Sequence, residues 1–386
     1  MVYADHAATT ALSKRALAAA LPFLQGEYGN ASSAYVFGKR ARKAIERARR
    51  QVAEAVGAAS SEILFTAGGS EGNNTVLRGV AERIGKRAHI VVSAIEHPSV
   101  LAPCRALERL GARIDYVPVS QEGRVAVESV ATALSEETCL VSVMLANNEV
   151  GTVQDIAAIA AMLKERGVPL HADAVQAIGH IPVNVKALGV TYLTASGHKF
   201  GGMKGTGFLW QREGAELPPL ISGGGQERGH RAGTENTAGV VALGEALTES
   251  VDRMQEDAVR LRGLVAYTLQ MIEREVPEVR VHGAEKEHLP GLLNIGIPGV
   301  RGESLVHLLD LKGICVSAAS ACSAGTDAPS HVLCAMGYSE REAMEALRIS
   351  YGRENTQEDA ERIAEEIVRA VRKIRTLSGR ETHAVI

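Results

Sequence analysis

The stretch EILFTAGGSEGNNTVLRGVAER, residues 62–83, changes texture twice. It opens on an apolar, strand-like run, passes through a glycine-rich turn, and closes on helical patterning. The same alternation recurs along the first two-thirds of the chain. HIVVSA (89–94) precedes the helix-like VLAPCRALERLG, and CLVSVML (139–145) precedes IAAIAAMLKERG. PLHADA (169–174), VTYLTAS (190–196) and GTGFLW (205–210) read as further strands. Repeated strand, loop and helix predict an α/β fold with a largely parallel sheet covered on both faces. Ligands in such sheets bind outside the carboxyl ends of the strands. Residues just after the apolar runs are therefore the ones to inspect for chemistry.

Beyond about residue 245 the pattern differs. ALTESVDRMQEDAVRLRGLVAYTLQMIERE reads as one long helix, followed by the β-like segments VRVHG and GLLNIGIPG. A final helix starts near Thr356, where Asp359 completes a capping-box-like signal. Its apolar stripe is Ile363, Ile367, Val371 and Ile374, and Gly379 is its expected stop. This half is expected to form a smaller α+β domain of residues 1–14 and 251–386, beside a large domain of residues 15–250. The basic run KRARKAIERARR (39–50) is broken by Glu46 and backed by Ile45, Val52 and Val56, so it reads as the solvated surface of a helix.

At 386 residues, 46% hydrophobic and 23% charged, the chain is an ordinary globular protein. Its net charge of -3 gives no electrostatic argument for direct nucleic-acid or membrane binding. The opening MVYADHAATT lacks the basic and apolar regions of a secretory signal. Five cysteines (104, 139, 315, 322 and 334) form no C-x-x-C pair. That argues against a disulfide framework and a cysteine-built zinc site, no metal is expected, and a reducing cytoplasm is the expected compartment.

Five places in the sequence, four single residues and one two-residue turn, could carry chemistry. Lys199, in TASGHKFGGMKGTG, follows a strand and precedes glycines that allow close backbone approach, which suits either a solvated charge or a Schiff-base lysine. Asp173, in HADAVQAIG, sits where a metal ligand, a base, a helix cap or the acid partner of a pyridinium nitrogen would sit. The turn at Gly69 and Ser70 offers backbone amides at a helix start, a setting for phosphate, without either common nucleotide-binding glycine pattern. His97, in SAIEHPSVL, is a structural histidine or one that stacks on an aromatic cofactor and moves protons. Cys322, in AASACSAGTDAPSH, lies among small residues with no apolar run around it, unlike a buried structural cysteine.

Together with DHAATT, NNEVGTVQDI, GGGQERGHRAGTEN, PSHVL and LRISYG, these motifs occur in an order that resembles the NifS/IscS-type cysteine desulfurases of the class V aminotransferase superfamily, over nearly the whole chain. The resemblance implies a pyridoxal phosphate (PLP)-dependent transferase of fold type I. It implies Lys199 as the PLP-bearing lysine, Asp173 as the acid on the ring nitrogen and His97 as the stacking, proton-moving histidine. Asn148 and Gln176 would lie near the phenolic oxygen, with Asn148 also near substrate. Gly69, Ser70, Ser196 and His198 would cradle the phosphate, and Thr234 would reach the phosphate of a neighbouring subunit in a homodimer. Arg348 would pair with the carboxylate of the substrate L-cysteine, a task suited to a guanidinium fork. Cys322 would take the sulfur as a persulfide and pass it to acceptors such as an Fe–S scaffold or a tRNA-thiolation protein. A selenocysteine lyase shares this pattern but has no need of Cys322. Another PLP reaction would leave that cysteine idle, and a sulfur-transfer scaffold would not need Lys199, Asp173 and His97. Ala319, Ala31 and Tyr35 depart from the glycine, proline and histidine usual in the family.

Overall fold

The computed structural model describes residues 1–318 and 328–377. Its strands are Val2–Tyr3 (β1), Ile63–Thr66 (β2), His89–Ser93 (β3), Arg113–Val117 (β4), Thr138–Ser142 (β5), Leu170–Asp173 (β6), Tyr192–Ser196 (β7) and Gly207–Gln211 (β8). Arg280–His282 (β9), Leu292–Gly296 (β10), Ile314–Cys315 (β11), Ser317–Ala318 (β12) and Ala346–Ser350 (β13) follow. A seven-stranded sheet runs in the order β2-β8-β7-β6-β5-β3-β4. Only β8 opposes its neighbours, and the β4-β3-β5-β6-β7 pairings are all parallel.

Period-2 alternation sends successive side chains to opposite faces. Ile63 and Phe65 join one hydrophobic cluster while Leu64 joins another. Val91, Val141 and Leu193 likewise face the first, and Ile90, Leu140 and Tyr192 the second. Both faces are therefore covered, as the near-continuous apolar runs predict.

Within this sheet β4, from RIDYV, is an addition to the strands read from sequence. Its exposed Arg113 and Tyr116 dilute the apolar signal that marks its neighbours. β5 is shorter than CLVSVML, yet Val143 and Leu145 still donate to His171 and Asp173, so the run keeps its partner past the ladder.

A second core gathers Val2 and Ala4 with Leu261, Ile295, Leu305, Leu347 and Ile363. It lies under a four-stranded sheet, β12-β13-β10-β9, beside the parallel pair β1-β11. The long helix begins at Thr237 rather than near Ala246 and runs to Glu275. Asn236 caps it, its side chain accepting from Gly239 N–H. Ala242, Leu243 and Leu247 pack in the first core, and Leu261 and Leu264 in the second, so this helix ties the two together. The last helix, Gln357–Leu377, starts with the reciprocal Thr356 and Asp359 bonds and buries Ile363, Ile367 and Val371. Gly379 lies outside the described residues.

The basic run forms part of the helix Val36–Val56, with Ile45, Val52 and Val56 inward. One arginine breaks the expected solvated face. Arg49 is 4% exposed and grips Glu227 through two nitrogens, at 2.7 and 2.8 Å. Glu227 and Arg228 both hold left-handed backbone (φ 45° and 59°), which non-glycine residues adopt only when surroundings compel it. Glu227 also accepts from Phe65 N–H, which anchors the GGGQERGHRAGTEN loop to β2. No helix among the described residues is long and apolar enough to cross a membrane.

Candidate active site

The carboxyl ends of β2, β3, β6 and β7 converge on one cavity of about 310 Å³. Gly69, Ser70, His97, Asn148, Asp173, Gln176, Ser196, His198, Lys199 and Arg348 all line it. The strand-end rule brings together residues spread over 280 positions of sequence, from Gly69 to Arg348. Thr234 does not line the cavity and is exposed. Cys322 and Ala319 lie outside the described residues.

Asp173 closes β6 and is 4% exposed. One carboxylate oxygen accepts from Val175 N–H at 2.9 Å and the other from the Asn73 amide at 2.7 Å. No helix starts after Asp173, so it is not a helix cap: it closes a turn while its other oxygen faces a side chain. His97 caps the helix Pro98–Arg109, its Nδ1 accepting from Ser99 N–H at 3.1 Å. Pro98 suits the first helical position because no N–H is needed there. Burial holds the His97 imidazole below its ordinary pKa; Asp173 opposes that shift, while Lys199 and His331 add to it.

The helix Gly69–Ile84 also begins at the cavity. Gly68 enters it at φ 151°, and a Cβ on Gly69 would lie 2.6 Å from Val175 Cγ2. Only glycine permits this approach, and it leaves the first N–H groups of the helix uncovered. His198 Nδ1 lies 3.1 Å from Thr9 Oγ1, and burial, aided by Lys199 and Lys204, pushes the imidazole down to about 4. It is therefore a neutral wall of the site near pH 7.

Lys199 ends the short turn after β7, and its Nζ donates to Ala7 O at 2.6 Å and Ala8 O at 2.8 Å. Gln176 Nε2 also donates to Ala7 O, at 2.9 Å. The N-terminal DHAATT segment thus forms a wall of the site through its carbonyls, a role that residue type does not advertise. Arg348, in β13, also lines the cavity and is buried at 4% exposure. Its Nη1 donates to Asn148 O at 2.9 Å and its Nη2 to Asp5 Oδ1 at 2.7 Å.

Two buried acids stand behind the lining. Glu96 accepts from Ser93 Oγ–H at 2.5 Å and Met144 N–H at 2.6 Å, and burial pushes it up to about 8. Glu149 accepts from Ser330 Oγ–H at 2.5 Å and is pushed up to about 7 by burial. Ser330 in turn caps the helix His331–Ala335, and Ser317 pairs in register with Arg348. The described residues on either side of the Cys322 segment are thus tied to the Asn148–Arg348 wall. Cys104, Cys139, Cys315 and Cys334 are free, and burial raises the first, second and fourth, to about 12 for Cys104. Thiols held up in this way are weak nucleophiles.

Sequence reasoning missed Asn73, Ser99, Asp5 and the carbonyls of Ala7 and Ala8. Asn73 and Asp5 touch the site through another residue, and Ala7, Ala8 and Ser99 line it without a side chain whose type advertises chemistry, so motif chemistry alone does not point to them.

The cavity suits a phosphorylated pyridine aldehyde. The bare glycine turn offers amides for phosphate, Asp173 an acid for a ring nitrogen, and Lys199 an amine for a carbonyl carbon. The chain belongs to the aminotransferase class-V family, whose model matches residues 2–363. Members of this family are PLP-dependent enzymes. The chain is 43% identical to the cysteine desulfurase IscS of Dictyoglomus turgidum, covering 98% of this chain and 96% of that protein. It is 41% identical to the cysteine desulfurase IscS of Methanosarcina thermophila, covering 98% and 93%. A solved NifS-like protein superposes with a TM-score of 0.90 at 37% identity, covering 96% of this chain and 99% of that one.

Proposed function

We propose that this protein is a cysteine desulfurase that converts L-cysteine to L-alanine, storing the sulfur as a persulfide on Cys322. The observation that carries the reading is the meeting of Lys199, Asp173, His97, Arg348 and the Gly69 helix start in one cavity. PLP, when bound there, supplies an electron sink for the carbon framework of the substrate.

The side chains then divide the work. Lys199 would hold the aldehyde carbon and, once displaced by the substrate amine, carry the Cα proton. Asp173 would bind the ring nitrogen, Asn148 and Gln176 would flank the phenolic oxygen, and Gly69, Ser70, Ser196 and His198 would enclose the phosphate. Arg348 would orient the substrate by its carboxylate. The Cys322 thiolate would attack the substrate sulfur: the S–S bond forms as the Cβ–S bond breaks, and the carbon product takes up protons and leaves as alanine. The persulfide would pass to an acceptor protein of Fe–S cluster assembly or tRNA thiolation.

The exposure of Thr234, on a loop pinned by Arg49 and Glu227, supports a homodimer in which that residue reaches the partner's phosphate. Free thiols at every described cysteine support a reducing, cytoplasmic setting.

Purified protein supplied with PLP should show a visible absorption band that is absent from Lys199→Ala. L-cysteine should yield alanine and a persulfide on the Cys322 peptide by mass spectrometry. Cys322→Ser should still change its spectrum with cysteine yet release almost no alanine. A missing band, or alanine release undiminished in Cys322→Ser, would overturn the reading.

A further inference from the structure

Four side chains from three separate elements form one hydrogen-bonded line along the cavity wall. Asp173 Oδ2 accepts from Asn73 Nδ2 at 2.7 Å. The same nitrogen donates to Ser99 Oγ at 2.8 Å, and Ser99 Oγ lies 2.8 Å from His97 Nδ1. Asn73 sits on the helix Gly69–Ile84 and is fully buried, Ser99 follows the His97 cap, and Asp173 ends β6.

The chemistry of its two ends sets the direction of this line. A carboxylate only accepts, so Asn73 must turn its NH₂ toward Asp173; the reversed amide would set oxygen against oxygen. The second amide proton then goes to Ser99 Oγ, and Asn73 Oδ1 is left buried without a partner. With its lone pair engaged by Asn73, the Ser99 hydroxyl has its own proton to give to His97 Nδ1. From the other end, Ser99 N–H already donates to the same Nδ1, which must therefore be the unprotonated nitrogen. Protonating it would set N–H against N–H and lose the helix cap. Both arguments give one polarity.

We propose that Asn73 and Ser99 are positioning residues that carry the charge of Asp173 to His97 through a one-way hydrogen-bond relay, so that His97 meets the site as a neutral Nε2–H donor. His97 then serves as a donor to developing negative charge rather than as a base, and Lys199 is left to carry the Cα proton. This division of labour rests on the proposed desulfurase reading, whereas the relay itself is a property of the polypeptide.

Three ionisable groups face His97: Asp173, Lys199 and His331. They stay in place when Ser99 is changed, so a change there isolates the relay. The test is nitrogen NMR of protein labelled with ¹⁵N-histidine, read without cofactor and again with PLP, with His97 assigned through His97→Gln. Wild type should show an unprotonated Nδ1 and a protonated Nε2 from pH 6 to 8. Ser99→Ala removes one of the two donors to Nδ1, so the His97 titration should rise by about one pH unit, with mixed tautomers. Ser99→Thr should restore the wild-type signals, and Asn73→Ala should shift them in the same direction as Ser99→Ala, but less.

A protonated Nδ1 in wild type would overturn the proposal whether or not the variants fold. An unmoved tautomer and titration in folded Ser99→Ala would overturn it as well. Because the cofactor-free protein gives the readout, failure to bind PLP or to make alanine would refute the desulfurase reading and leave the relay standing.

Discussion

Two buried charges line the same cavity and are held in opposite ways. Asp173 ends a strand of the parallel sheet, and the hydrogen bonds seen on its carboxylate come from neutral donors, Val175 N–H and the Asn73 amide. Arg348 lies within an antiparallel strand of the smaller sheet and already holds a carboxylate, that of Asp5, 343 residues away in sequence. The difference separates two kinds of site. Neutral donors fix the position of Asp173 without cancelling its charge, which stays available to a cation such as a protonated ring nitrogen. Asp5 neutralises Arg348 while it waits, so a substrate carboxylate must share or replace that partner.

The largest effect should come from the uncancelled charge. Asp173→Asn keeps the shape and one acceptor but removes the anion. Alanine formation should fall by about 10²–10³-fold, the usual loss when one preorganised electrostatic partner is removed. Spectrophotometric titration should still detect bound PLP. Near-normal turnover would erase the contrast between the two charges.

The neutralised charge predicts a smaller and directional change. Removing the fork in Arg348→Ala should raise KM for cysteine by about 10–100-fold, the worth of charge-assisted hydrogen bonds of about 1.5–3 kcal/mol. Asp5→Asn should do the reverse and lower KM a few-fold, because the incoming carboxylate no longer meets a resident anion. Steady-state kinetics on both variants decides this, and a raised KM in Asp5→Asn would show that Asp5 chiefly orients the arginine.

A third buried charge site sharpens the comparison through stability, leaving turnover aside. Glu96 is pushed up to about 8 by burial, with the charge of Asp173 adding to the shift, so it is protonated in the native state near pH 7. Its ordinary value is 4.5, and unfolding between these two values must release a proton. The unfolded state then binds fewer protons, and stability falls as pH rises. The contribution is whole below about pH 4.5 and is lost through about pH 8, at about 1.4 kcal/mol per pH unit. Glu96→Gln should flatten that decline in urea denaturation curves taken at pH 5 and pH 7.5. Parallel curves for wild type and variant would mean that Glu96 ionises inside the fold.

How much of this was readable beforehand differs between the two walls of the cavity. On the parallel-sheet wall the chemistry follows apolar runs directly. HADAVQ, SAIEHPS and TASGHK each pair a strong strand signal with a polar residue at its end, and all three converge as the strand-end rule requires. The Arg348 wall was legible only through the resemblance of LRISYG to a family motif. Its strand, Ala346–Ser350, lies between two helices, outside the strand–loop–helix alternation of the first two-thirds of the chain. Arg49 shows the converse failure. It looks like one more solvated arginine in a basic run, and only its contact with the strained Glu227 turn makes it structural.

The sequence by itself determined the α/β class, the positions of the principal strands along the chain and the residue types able to do chemistry. Those depend on local periodicity, on turn chemistry, and on where polar residues interrupt apolar runs. Tertiary structure alone decided that Ala7 and Ala8 carbonyls receive Lys199, that Asp5 neutralises Arg348, and that Asn73 and Ser99 join Asp173 to His97. The physical reason is common to all of them. A buried polar group must find a partner, but which partner depends on distances across the fold, and residue order along the chain does not contain them.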